Sequence, residues 1–453
     1  MGAQMQHSYQ EKREERRRRR QRNQLAAYLT LAVVIGLAAA GVVLGVRYLT
    51  RPGEDRSDEE GRNQVEEIFA TEQTITMPEE TAEPVPEMTE EEKLDEIVAA
   101  GIAVMPLEDK VAGLFLVEPE AITGVSAAIR AGESTQEALA RYAVGGLVYF
   151  TKNMRSKEQL TEMISNTKRY SKYPLFFAVD EEGGKVNRVA ASGLAQKAES
   201  AEAIGQTAEP QNAYQAGLTI GAYLSELGFN LDFAPVADLA NVEGSVMDGR
   251  AYGSEAAAVA PFVAAMMNGL REQGVTACLK HFPGIGSTGA DTHEGLSVTQ
   301  RTAEEFRAEE FTVFRTGIDA GADMIMVGHL AAPALTGDNT PCSLSPAVVT
   351  DLLRKELGFE GVIITDAMNM GAVSAYYESG EAAILALKAG CDMILMPEDF
   401  ERAYSAVLQA VADQTISEER INDSLQRIYR IKYADRLEPE EPEEPEETAG
   451  GAE

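Results

Sequence analysis

Apolar residues fall along this chain in distinct regimes. From Leu25 to Val46 they form a run of 22 residues without a charge, LAAYLTLAVVIGLAAAGVVLGV. At about 1.5 Å per residue such a run crosses the roughly 30 Å of bilayer hydrocarbon, so it predicts a transmembrane helix over 25–46. Residues 47–88 reverse the pattern: Glu, Thr and Pro with few aliphatics cannot bury enough apolar area to offset chain entropy, and they read as an acidic linker. Between Thr89 and Arg436 short apolar runs rich in β-formers alternate with helical patterns, and from Leu437 onward Glu and Pro return as a solvated acidic tail.

The alternating region carries the fold. Candidate strands are GLFLV (113–117), GLVYF (146–150), LFFAV (175–179), NLDFA (230–234), ACLK (277–280), MIMV (324–327), VIIT (362–365) and MILM (393–396). Helical patterns at 157–170, 211–227, 256–273, 302–320, 346–357 and 380–389 lie between them. Continuously apolar strands separated by helices make a parallel sheet covered on both faces, and eight such units predict an α/β fold of the (β/α)8, TIM-like barrel type over 89–436. A doubly wound open sheet is the alternative.

Charge adds topology and removes some functions. The segment 1–24 holds KREERRRRRQR, whereas Arg47 and Arg51 alone follow the apolar run closely, so the positive-inside bias makes residues 1–24 cytoplasmic and puts everything after Val46 outside, in a single-pass protein of the cell membrane. A cleaved signal peptide is the competing reading, but the run is long for one and no clear A-x-A site follows. With 40 Lys and Arg against 73 Asp and Glu, the net charge of −33 argues against a nucleic-acid partner. Cys278, Cys342 and Cys391 are far apart and fit neither a disulfide framework nor a metal motif, so they read as buried thiols.

Polar residues gather where a barrel assembles its chemistry. Asp180, Asp238, Lys280 with His281, His329 and Asp366 each follow or end a candidate strand, the rim from which barrel enzymes build their sites, and the loops of the opposite rim show no comparable set. No glycine pattern cradles a phosphate: Gly183 and Gly184 lack the Lys-Ser/Thr ending, which disfavours a nucleotide enzyme.

In FFAVDEEGGKVNRV, LDFAPVADL, GRAYG, LKHFPGIGSTGADTHEG and VIITDAMNMGAV, in that order over about Lys110 to Pro397, the chain resembles glycoside hydrolase family 3, and within it the β-N-acetylhexosaminidase branch. The resemblance implies a retaining β-N-acetylglucosaminidase with Asp366 as nucleophile and the Asp-x-His pair Asp291 and His293 as acid/base. It places substrate-binding positions at Asp180, Arg188, Arg250, Lys280 and His281, implies no cofactor or metal, and makes an N-acetylglucosamine-containing glycan of the cell wall the expected partner.

Elementary chemistry fits these roles. Retention needs a carboxylate on one face of the sugar and a proton donor near the leaving oxygen on the other. An imidazole oriented by a neighbouring carboxylate titrates near neutrality and serves as acid and then as base. Blander readings stay open at each position: His293 as a surface-loop residue, Asp366 as a helix N-cap, and His281 and His329 as satisfied rim residues. The chain also departs from the branch's usual KHFPGHGD, with Ile285 and Ser287 in place of His and Asp, and has Lys185 where Arg is usual. Another family 3 β-glycosidase, a phosphorylase, or a glycan-binding barrel with little turnover are the competing functions.

Overall fold

The computed structural model describes residues 88–242, 245–289 and 295–434. The expected membrane helix, the linker and the acidic tail lie outside them, as do Asp291 and His293. Among the described residues no helix is long and apolar enough to cross a membrane.

The described residues form ten strands: β1 (Phe115–Val117), β2 (Gly146–Val148), β3 (Phe176–Val179), β4 (Glu181–Gly183), β5 (Val186–Asn187), β6 (Leu231–Asp232), β7 (Thr276–Phe282), β8 (Met324–Val327), β9 (Val362–Thr365) and β10 (Ile394–Leu395). Eight pair in parallel in the order β10-β1-β2-β3-β6-β7-β8-β9. A parallel bridge between Ile364 and Met393, with Thr365 N–H donating to Met393 O, joins the two outer strands and curls the sheet into a barrel. This sets the open-sheet alternative aside. Each predicted strand falls on one of the eight, because FLV, FFAV, MIMV and VIIT are buried along their whole length and their apolar runs are unbroken.

The helices follow their patterns with two departures. The stretch predicted over 302–320 breaks at Glu309 into Ala303–Ala308 and Glu310–Asp319, where Arg301 gathers the carboxylates of Glu309 and Glu310. Ala347–Glu356 winds as a π-helix. Further helices among the described residues include Glu90–Ala103, opened by a Thr89/Glu92 capping box, Phe400–Ala412 capped by Asp399, and Glu418–Lys432 capped by Ser417. Helices Pro210–Leu227 and Ala256–Glu272 approach closely at Gly217 and Gly269, where a Cβ on either would run into backbone of the other.

Asp392 ties the end of the chain to the barrel. Wholly buried just before β10, it accepts from Arg354 (2.7 Å), Arg427 (3.0 Å), Ser424 (2.7 Å) and the Ile363 N–H (3.0 Å). The end of the barrel at the strands' N-termini is therefore not poor in charge, contrary to expectation. A bowl of about 550 Å³ there is rimmed by Arg271, Asp323, Arg427, Arg430 and Lys432. Much of this charge holds helices in place: Arg271 pairs with Asp323 at 3.4 Å and Arg430 with Asp95 at 3.1 Å. The three cysteines are free and buried.

Candidate active site

The opposite end, where the strands' C-termini open, carries a cavity of about 290 Å³ with Asp180, Glu182, Arg188, Arg250, Lys280, His281 and Asp366 in its wall. All five of the substrate-binding positions predicted from sequence and the proposed nucleophile are thus brought together.

Two acids leave β3 and enter β4 on the same side. Asp180 and Glu182 are two residues apart in an extended hairpin, so both face Lys280 on β7. The Lys280 ammonium lies 2.7 Å from Asp180 Oδ1 and 2.7 Å from Glu182 Oε1. Arg250 closes the network with a bidentate pair, Nε to Glu182 Oε2 at 2.8 Å and Nη2 to Oε1 at 2.7 Å. Burial acts to raise the Glu182 pKa, but the Lys280 and Arg250 charges outweigh it and hold the carboxyl down at about 2. Burial likewise acts against the Lys280 ammonium, and the Asp180 and Glu182 carboxylates overcome it and raise its pKa. Glu182 was not among the residues singled out from sequence; the signal was its two-residue offset from Asp180.

Between them in sequence, Glu181 points the other way. It accepts from Tyr223 O–H at 2.8 Å and from the Val189 and Ala190 N–H groups at 2.8 and 3.1 Å, which fixes the short turn that begins with Arg188. The Arg188 guanidinium sits 5.7 Å from the Phe150 ring centroid, and its buried Nε has no hydrogen-bond partner among the described residues. Among those residues Arg188 also forms no salt bridge, unlike Arg250 and Lys280.

Asp238, read from sequence as a rim residue, organises the KHFPG loop. Fully buried, it accepts from the His281 N–H (3.0 Å), His281 Nδ1 (2.7 Å) and the Ile285 N–H (2.6 Å). A carboxylate can only accept, so Nδ1 carries a proton and Nε2 is the nitrogen left to the cavity. Below the loop, Phe282 stacks on Phe311 at 5.2 Å and meets Phe314 edge-on at 5.1 Å. Ile285 is buried in the cavity wall, an apolar surface where the family pattern has an imidazole. Ser287 pairs with Thr299 (3.0 Å) and Thr288 with Ser297 (2.8 Å), so hydroxyls join the two stems flanking residues 290–294. Asp291 and His293 belong to that stretch and are outside the described residues.

Asp366 follows β9. Its N–H donates to Val327 O at 2.9 Å, and its Oδ1 accepts from the Ala367 N–H at 2.7 Å. Burial would raise its pKa; the His281 and His329 rings, the Ala367 N–H and the Lys280 charge act the other way, and the carboxyl lies below its ordinary range. Asp366 is therefore ionised at neutral pH with one oxygen held and the other turned to the cavity. His329 is fully buried and lines no part of the cavity; it accepts the rim reading rather than a sugar contact.

Residues 106–431 match the model of the glycosyl hydrolase family 3 N terminal domain. Beta-hexosaminidase A of Pseudoalteromonas piscicida is 30% identical over 325 residues, covering 65% of this chain and 54% of that protein. A beta-hexosaminidase of Nitrosomonas eutropha is 34% identical over 277 residues, 60% of this chain and 78% of its own. The solved structure of a glycoside hydrolase family 3 beta-N-acetylglucosaminidase from Paenibacillus sp. superposes with a TM-score of 0.69 at 33% identity, covering 74% of this chain and 63% of that one. The chain thus spans about half the length of the first relative and under two thirds of the Paenibacillus protein.

Proposed function

Because the chain belongs to glycosyl hydrolase family 3, we propose that it is a retaining exo-β-N-acetylglucosaminidase acting on cell-wall amino sugars or muropeptides. Asp366 attacks the anomeric carbon to form a glycosyl-enzyme, and His293, oriented by Asp291, protonates the leaving oxygen and then deprotonates water. Asp180, Arg188, Arg250, Lys280 and His281 hold the sugar. The observation that carries this reading is the state of Asp366: an ionised carboxylate, one oxygen fixed by a backbone N–H, facing the same cavity as the Asp180–Lys280 pair. The names of the relatives support an amino sugar as substrate. Arg188, in no salt bridge among the described residues and with its Nε unsatisfied, is left to donate to the substrate. The enzyme is held in the cell membrane by residues 25–46, with residues 1–24 cytoplasmic and the barrel outside.

The test is release of nitrophenol from nitrophenyl β-N-acetylglucosaminide by the full chain in detergent, beside Asp366→Asn. The amide keeps the side chain's size and cannot attack, so turnover should vanish while the fold is retained. Wild-type rates in that variant would refute the nucleophile assignment, and faster cleavage of the plain β-glucoside would refute the sugar class.

A further inference from the structure

His329 lies behind the site, with its ring against the Asp366–Ala367 backbone. Its imidazole is fully buried at the end of β8, with Nε2 3.0 Å from the carbonyl oxygen of Ala367 and Nδ1 2.7 Å from Ser343 Oγ. A carbonyl only accepts, so Nε2 carries a proton. Burial holds the ring's pKa below its ordinary value, so the ring is neutral, Nδ1 is bare, and the Ser343 hydroxyl donates to it. The buried Ser343 therefore fixes the tautomer that lets His329 donate to Ala367.

Ala367 is the residue whose N–H donates to Asp366 Oδ1 at 2.7 Å. Its two polar groups work in series: the carbonyl is gripped by His329, and the amide grips one oxygen of the carboxylate. Asp366 itself is pinned by its N–H on Val327 O, so the Ala367 amide decides which oxygen remains free. We propose that Ser343 and His329 form a positioning pair that, by holding the Ala367 peptide, selects the oxygen of Asp366 that attacks the sugar. The proposal rests on Asp366 being the nucleophile. A misaligned nucleophile costs rate without costing sugar affinity, because the groups that hold the sugar belong to other strands.

The test compares kcat, KM and the acid limb of kcat/KM for the full chain and four variants, each with its melting curve. His329→Leu removes the donor; His329→Gln supplies an amide donor of similar reach; Ser343→Ala frees the tautomer; Asp366→Asn checks the underlying reading. Besides the Ala367 amide, the charged and titratable groups near Asp366 are His329 itself, Lys280 and His281 from β7, Asp180 and Glu182 before and in β4, Arg188, and Arg250. The His329 variants also remove the ring's own effect on Asp366, whereas Ser343→Ala alters none of these groups, so a moved acid limb in Ser343→Ala is the one that reports the Ala367 contact. His329→Leu should lose at least tenfold in kcat with KM within about twofold and an acid limb at higher pH, since a carboxylate that loses its N–H donor is less acidic. Ser343→Ala should fall between, and His329→Gln should recover most of kcat and the acid limb. Unchanged kcat and acid limb in His329→Leu would overturn the positioning role. Equal losses in the Leu and Gln variants that follow their melting temperatures would reduce His329 to packing and overturn it as well. If Asp366→Asn kept turnover, the nucleophile reading would fall first, visibly apart from either outcome.

Discussion

Glu182→Gln removes the negative charge at the centre of the site's ion network and keeps the side chain's shape. In the wild type the Glu182 side chain is 4% exposed, between Lys280 at 3% and Arg250 at 15%. Lowering a carboxyl from its ordinary 4.5 to about 2 corresponds to about 3 kcal/mol of folding stability at 1.36 kcal/mol per pKa unit. The sign follows from the direction: a depressed folded pKa gives stability that is fully present above about 4.5 and is lost as pH falls towards about 2. The variant loses that term because a neutral amide leaves Arg250 without its carboxylate and Lys280 with Asp180 alone. Urea unfolding at pH 7, pH 5 and pH 3.5 measures it. At pH 7 the midpoint should drop by roughly 1 M, taking an m-value of about 3 kcal/mol/M for a domain of this size. The gap between the two proteins should hold at pH 5 and shrink at pH 3.5. A gap below about 1 kcal/mol at pH 7, or one that widens as pH falls, would refute the claim that Lys280 and Arg250 hold Glu182 ionised. Activity should fall in the same variant, since both cations lose the anchor that aims them at the cavity.

Asp392→Ala should destabilise the barrel by about 3 kcal/mol, because it leaves the Arg354, Arg420 and Arg427 guanidinium groups without their shared carboxylate; calorimetry reads the loss, and catalysis per folded molecule should be unchanged. The first-formed sugar should carry the β configuration in time-resolved NMR, as two displacements restore it, and an α product would remove the covalent mechanism. Protease added to intact cells should release the barrel by cutting within 52–88, whose composition offers no core to protect it; a barrel that survives until the membrane is broken would reverse the proposed orientation.

The strands were legible because a doubly covered parallel sheet needs unbroken apolar runs, and the rim acids and bases were legible because each ends such a run. What stayed hidden depends on contacts between distant positions. Asp238 stands 43 residues from His281 and 47 from Ile285, and nothing local to VADL says that its carboxylate is spent on their backbone N–H groups. Glu182 was not singled out from sequence, because only the hairpin of β4 and β5 turns it together with Asp180 towards Lys280. His329 was open to reading as a site residue or a satisfied rim residue, and its burial against Ser343 and Ala367 separates them. The charges of the far rim were missed because Arg427 and Arg430 come from the last helix, which the pattern did not delimit.

Glu91, at the start of the first described helix, and Ala434, just past the last, both border the bowl at the strands' N-terminal end. The same two helices are joined by Arg430 to Asp95 and by Gln426 to the Asp95 carbonyl. Entry and exit of the domain are therefore a single handle, set at the end of the barrel opposite the mouth of the cavity. A fusion partner, an affinity tag or a solid support attached through either side would hold the barrel from behind and leave the mouth open. Force applied along the chain would be borne first by that helix pair, with the residues around Asp366 outside the path of the load.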